Sequence, residues 1–209
     1  MIEEKTQEAI QKNHKFRKLI ASQKEDVHID PFTAEDSYKE YKNDLGLNEN
    51  DLKGKRILDL GFGAGGFVKY LLLKKITSEA YGVDIDASEI FGEDVFKDHF
   101  FQGDFQEKLP VQNLDYIVSR QAIGHEWQYE DGHKFSSVSL LENSLAALKI
   151  GGEIKIPFGE EFAFSTPNAQ VDEWNMESKR RWDESLIEIC NTHNISYKIE
   201  PTGIVVYLS

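Results

Sequence analysis

The stretch Ile57-Leu58-Asp59-Leu60-Gly61-Phe62-Gly63-Ala64-Gly65-Gly66-Phe67 constrains this chain more than any other, because it reads as a buried strand that runs into a glycine loop and opens a helix. Gly61 and Gly63 permit a sharp turn and close approach of backbone to a ligand, and a glycine near the helix start permits tight packing on the strand. A loop of this kind holds a nucleotide. Glycines at 61, 63 and 66 satisfy G-x-G-x-x-G, but that match is weak alone and its surroundings decide how it is read. Asp59 stands two residues before the first glycine, where a pyrophosphate would be repelled and a cationic ligand favoured. Asp84 ends the next apolar strand, Ala80-Tyr81-Gly82-Val83, at a distance suited to two ribose hydroxyls.

From Lys55 the pattern alternates. Strands are expected over 55–60, 79–84, 99–102, 114–118 and 153–156, and helices over 65–75, 87–97 and 137–149, the last stopped by Gly151-Gly152. Such β-α alternation implies a parallel sheet with right-handed crossovers, with ligands bound beyond the carboxyl ends of the strands. The tail departs from it. A long helix over roughly 170–193 carries Trp174, Trp182, Leu186 and Ile189 on one face, and strands 196–200 and 203–208 meet at Pro201-Thr202-Gly203 as a hairpin. Cys190 and His193 fall on or near the apolar face of that helix and are expected in the core. Upstream, residues 3–24 can form a helix whose apolar stripe is short (Ile10, Phe16, Leu19, Ile20) and needs a docking surface. Thr33 and Asp36 then form an N-cap pattern before Tyr38, Tyr41 and Leu45, in a helix that ends near Gly46. The chain thus divides into an N-terminal helical extension, 1–52, and an α/β core, 53–209. Residues 28–46 are expected either to close over the ligand site as a lid, with Tyr38 and Tyr41 facing the substrate, or to pack on the domain.

At 209 residues and 40% hydrophobic content the chain suits one α/β domain with a sizeable core. Its 24 basic against 37 acidic residues leave a formal charge of −13, which repels polyanions and disfavours nucleic acid as a partner. The basic clusters, Lys53-Lys55-Arg56 and Lys179-Arg180-Arg181, are short and flanked by acids, as solvated faces are. One cysteine excludes an internal disulfide, and six histidines without zinc-type spacing give no reason to expect a metal. There is no apolar signal core or membrane-length apolar run, so a soluble, cytoplasmic protein without membrane partners is expected. Tyr70-x-x-x-Lys74 has the tyrosine-lysine spacing of short-chain dehydrogenases but falls on the first helix after the glycine loop, and is read as helix surface.

Acid, glycine loop and second acid together resemble the class I S-adenosylmethionine-dependent methyltransferases, and the resemblance covers about residues 53–209. Asp59 through Gly65 looks like (D/E)-x-G-x-G-x-G, with Phe62 where many members have cysteine. The resemblance implies that the backbone at Gly61, Phe62, Gly63 and Gly65 approaches the methionine moiety and that Asp59 supports its ammonium. It further implies that Asp84 accepts from the ribose, that Ile85 touches the adenine, and that in Gly103-Asp104-Phe105 the acid meets the adenine amino group while Phe105 packs on the ring. Ser119, closing the fourth strand, belongs to the same rim. Leu148-Lys149-Ile150-Gly151-Gly152-Glu153-Ile154 is similar to the family's L-K-P-G-G block, with Ile150 in place of proline. The implied fold is a Rossmann-like, seven-stranded, mostly parallel sheet with a C-terminal antiparallel hairpin and helices on both faces, and the implied cofactor is S-adenosylmethionine.

Methyl transfer needs mainly an aligned nucleophile and exclusion of water, since the sulfonium is already an excellent leaving group. An amine or hydroxyl acceptor must still lose a proton, so a base is sought near the carboxyl end of the fourth strand. Residues 119–127 lack both an N-P-P-Y type motif and the acidic cluster of magnesium-dependent catechol-type enzymes. His125 is the candidate base, with a hydrogen-bonded structural histidine as the alternative. Arg120 and Glu126 either orient a substrate or form a surface salt bridge. These residues describe a methyltransferase acting on a small molecule or a protein side chain. The alternatives are a methyltransferase-fold protein that only binds a partner, a nucleic-acid methyltransferase and, more distantly, an NAD-dependent oxidoreductase.

Overall fold

The computed structural model describes residues 34–87, 94–120, 122, 136–156, 180, 183–193, 195–200 and 203–207. Its centre is a seven-stranded sheet made of β1 (Ile57–Leu60), β2 (Ala80–Asp84), β3 (Phe100–Gln102), β4 (Leu114–Ser119), β5 (Leu148–Ile156), β6 (Ser196–Glu200) and β7 (Gly203–Tyr207), in the order β3-β2-β1-β4-β5-β7-β6. Strands β1 to β5 are parallel to one another, while β7 runs antiparallel between β5 and β6. The expected Rossmann-like sheet with a terminal hairpin is therefore present. β1 is an interior strand, between β2 and β4, and all four of its residues are buried, as a parallel strand covered on both faces requires.

Helices α1 (Ala34–Leu45), α2 (Glu49–Leu52), α3 (Gly66–Leu73) and α4 (Ser137–Ala147), a 3₁₀ turn at Asp94–His99, and helical residues 183–193 cover the sheet. Side chains alternate along a strand, so each strand feeds two cores. Leu58, Leu60 and Ile117 join Leu140, Leu141, Leu145, Leu186 and Ile189 on one face. Ile57 and Val118 join Tyr38, Tyr41, Phe67 and Leu71 on the other. The same alternation places Asp59 with Ile57, and Arg120 with Val118, on the side of α1 and α3.

Several boundaries differ from expectation for local reasons. The amide of Leu148 closes α4 by donating to Leu145 O and Ser144 O, and the backbone is already extended at that residue. β5 therefore begins before Gly151-Gly152, and the glycines lie within a strand whose register with β4 shifts between Leu114 and Tyr116. They do not stop the helix. His193 is exposed on its helix, 3.8 Å from Glu142, and not in the core. Cys190 is half-buried against the core, and burial pushes its thiol pKa up. Tyr70 is buried and not on the helix surface. Its ring stacks on Tyr38 at 4.4 Å, and its hydroxyl donates to Glu49 Oε1 at 2.6 Å, which with burial lifts its pKa to about 12. The helix expected over 3–24, Thr33, residues 88–93, Trp174, Trp182 and the Pro201-Thr202 turn lie outside the described residues. Among the described residues no helix is long and apolar enough to cross a membrane, and no cluster of metal-ligating side chains occurs.

Candidate functional site

The carboxyl ends of β1, β2 and β4 converge on the glycine loop. Register brings Asp59 opposite Gly82 and Val118, and Leu60 opposite Val83 and Ser119, so Asp59, next to last in β1, and Asp84, last in β2, sit on adjacent strands. Gly61, Gly63 and Gly65 have φ of +75°, +54° and +70°, in the left-handed region that favours glycine. A Cβ at Gly61 would strike Ala122 Cβ, whereas one at Gly63 would meet nothing within 4 Å. The loop is thus closed on the side of β4 and open at Gly63.

Asp84, nearly buried, binds that open turn: its Oδ2 accepts from the Gly63 amide at 2.9 Å and its Oδ1 from the Asp86 amide at 3.0 Å. Ile85, half-buried, follows it, and its carbonyl accepts from Gln102 Nε2 at 3.1 Å. Asp104 folds its own turn by accepting from the Gln106 amide at 2.8 Å, and Phe105 is buried beside Gly61. Phe62 turns into the core, edge-on to Phe100 and against Gly82, so only its backbone belongs to the loop. Ser119 is buried and donates to Leu60 O at 2.9 Å, tying β4 to β1 at the rim.

Asp59 is completely buried, and the Tyr41 hydroxyl stands 2.9 Å from both of its oxygens. Burial pushes its pKa up to about 7; the Tyr41 bond and the Arg120 charge oppose that rise, while the Asp84 charge adds to it. Tyr41 itself is held well above its ordinary value, first by burial and then by the Asp59 charge. Arg120, also expected at the acceptor side, is spent on α1: its guanidinium pairs with Glu40 Oε2 at 2.5 Å and Asp44 Oδ2 at 2.6 Å. Tyr38 and Tyr41 stack on Tyr70 and Phe67 at 4.4 and 4.1 Å, and the Tyr38 hydroxyl donates to Leu47 O at 3.4 Å. Gly66 makes this seating possible, since a side chain there would collide with Ser37 of α1. His125 and Glu126 lie outside the described residues. Glu40, Asp44 and Ala122 escaped the sequence reading. The i, i+4 spacing of the two acids is visible in the sequence, but their partner lies 76 residues beyond the nearer of them, Asp44.

An acid on β1, a glycine loop with open space beside Gly63 and a second acid on β2, in this strand order, are the arrangement of the class I S-adenosylmethionine-dependent methyltransferase fold. Residues 39–149, just over half of the chain, match the FtsJ-like methyltransferase family, and the protein belongs to that family. No curated protein sequence matches the chain significantly. Among solved structures it is similar to a protein of Methanococcus maripaludis assigned as an S-adenosylmethionine-dependent methyltransferase, at 17% identity and a TM-score of 0.54 over 88% of this chain and 96% of that one. The plantazolicin methyltransferase BpumL is similar at 18% identity and a TM-score of 0.54, over 93% and 81% of the two chains. A protein of Nostoc punctiforme assigned as an O-methyltransferase is similar at 16% identity and a TM-score of 0.53, over 85% of this chain and 57% of that one.

Proposed function

We propose that the protein transfers the methyl group of S-adenosylmethionine to a nucleophilic atom of a small molecule or a protein side chain. The observation that carries this reading is the placement of Asp59 and Asp84 beside one glycine loop, near the carboxyl ends of neighbouring parallel strands. Asp84 is proposed to accept from the ribose while its hold on Gly63 keeps the loop in shape. Asp59 supplies negative charge for the ammonium of the methionine moiety, and Ile85, Asp104 and Phe105 border the adenine. The cofactor, when bound, supplies a methyl group already activated by its sulfonium. The protein's remaining task is to hold the acceptor in line and keep water out.

The net charge of −13 supports a small or protein-borne acceptor over a polyanionic one. Because Arg120 is neutralised by Glu40 and Asp44, acceptor recognition is assigned to the segment after β4, where His125 is the proposed base. BpumL, which shares the fold, has been solved in complex with a pentazolic desmethylPZN analog and SAH. Calorimetric titration with S-adenosylhomocysteine and NAD side by side tests the reading: the former is expected to bind and raise Tm, as any native-state ligand does, and the latter is not. Transfer of label from a methyl-labelled donor to candidate acceptors then identifies the substrate. Preferential stabilisation by NAD would overturn the assignment.

A further inference from the structure

We propose that Tyr41 is a positioning residue for the methyl donor, delivering from α1 the hydroxyl that orients the Asp59 carboxylate toward the donor's α-ammonium. The inference rests on the donor site proposed above and assigns a task to α1, which the acid-glycine-acid motif does not include.

A fully buried carboxylate offers about four acceptor positions, and leaving them unserved is costly. Among the described residues, Asp59 receives a single hydroxyl proton shared between its two oxygens. The groups that face it are Tyr41 from α1, Asp84 from β2 and Arg120 from the end of β4, and the only cation of the three is bonded to Glu40 and Asp44. Asp59 is therefore oriented but not neutralised. A hydrogen-bonded cation would complete it, and the α-ammonium of the donor has the right charge and donors.

Tyr41 has no freedom to do otherwise. Its ring lies parallel to Phe67 at 4.1 Å, an interplanar angle of 4°, so the hydroxyl is aimed by packing. Glu40 and Asp44, one position before and three after it, anchor the same helix to Arg120. Hydrogen bonding by Tyr41 favours the charged form of Asp59 against the desolvation that raises its pKa to about 7. Without the hydroxyl the acid would hold its proton to higher pH and would lose its attraction for an ammonium near neutrality.

The test compares two ligands that share a nucleoside and differ in the amino-acid chain: S-adenosylhomocysteine and 5′-methylthioadenosine, titrated calorimetrically into the full chain and into Tyr41→Phe at pH 6, 7 and 8.5. At pH 7 the variant is expected to lose about tenfold in affinity for S-adenosylhomocysteine and nothing for 5′-methylthioadenosine. The deficit should shrink at pH 8.5, because the loss is one of ionisation. Phe keeps the stack on Phe67. Should the variant nevertheless fail to fold, as judged from Tm, Asp59→Asn replaces it, with the same selective loss expected and no recovery at pH 8.5. Equal loss for both ligands or no loss at all in either variant, or a selective loss in Tyr41→Phe that is unaffected by pH, would overturn the role of Tyr41 while leaving the donor site in place. Binding of neither ligand by the unmodified protein would overturn the donor site and this inference together.

Discussion

Two aspartates on neighbouring strands of one sheet meet opposite electrostatic fates. Asp115, at the start of β4, is closed by its own rim: Oδ2 accepts from the Arg56 amide at 2.9 Å, and Oδ1 pairs with Lys55 at 3.3 Å and with Lys149. Burial would raise its pKa, but the amide and the two ammonium groups outweigh burial and leave it below the ordinary value. Asp59, near the opposite end of β1, has more burial and one hydroxyl, and its pKa rises to about 7. The amino rim is electrostatically finished and the carboxyl rim is not. An unfinished buried charge makes the carboxyl rim a candidate ligand site, as proposed above, whereas the finished one holds strands together.

The largest effect that would sharpen this contrast is on binding. Asp84→Ala is expected to weaken S-adenosylhomocysteine by about 1.5–3 kcal/mol, the range for hydrogen bonds to charged groups. Calorimetry on a variant shown to be folded checks it. Unchanged affinity would mean that the ribose partner has been misassigned.

Next comes pH. Asp59 has a folded pKa of about 7 against an ordinary 3.8, so the folded state binds the extra proton between those values and is favoured at low pH. Its contribution to stability is full below about pH 4 and lost as pH rises through 7, of order 2 kcal/mol between pH 5 and 8. Asp115 has the reverse sign, contributing above its ordinary pKa and losing that contribution as pH falls through its lowered one. Denaturation of the unliganded protein should therefore show stability falling from pH 5 to 8, and saturating S-adenosylhomocysteine should flatten that fall. A profile unchanged by Asp59→Asn would break the comparison.

Removal of the two charges separates stability from binding. Asp115→Asn should destabilise by about 1–2 kcal/mol, less than a fully buried pair because both lysines are half-exposed, and should leave ligand affinity unchanged. Asp59→Asn should keep or slightly raise stability at pH 8 while weakening the ligand. Chemical denaturation and calorimetry on both variants measure this exchange of roles. The smallest effect is expected from Glu40→Gln, under about 1 kcal/mol in stability, since Asp44 still holds Arg120.

Much of the core was legible because its signals are local. Strand β1, its glycine loop and the start of α3 follow from four apolar or acidic residues running into three glycines, and the β-α alternation implies the parallel sheet that β1 to β5 form. Acid, glycine loop and second acid also marked the rim on which Asp59 and Asp84 stand. Local signals failed where a neighbour in space overrode them. Gly151-Gly152 reads as a helix stop, yet pairing with β4 on both sides of them, at Leu148 and Glu153, places the two glycines in an irregularity within β5. Tyr70 reads as helix surface, yet the arrival of Tyr38 buries it.

The sequence by itself determined that an acid would precede a glycine turn and that a second acid would close the next strand, because dihedral preference and strand periodicity act between residues close in the chain. Only the tertiary structure decided the state of those acids. Desolvation and charge pairing depend on what lies within a few ångströms in space, and the groups that govern Asp59 come from positions 41, 84 and 120. None of those separations carries a sequence signal of contact, so the difference between a finished and an unfinished aspartate emerges only when α1 is laid across the ends of β1 and β4.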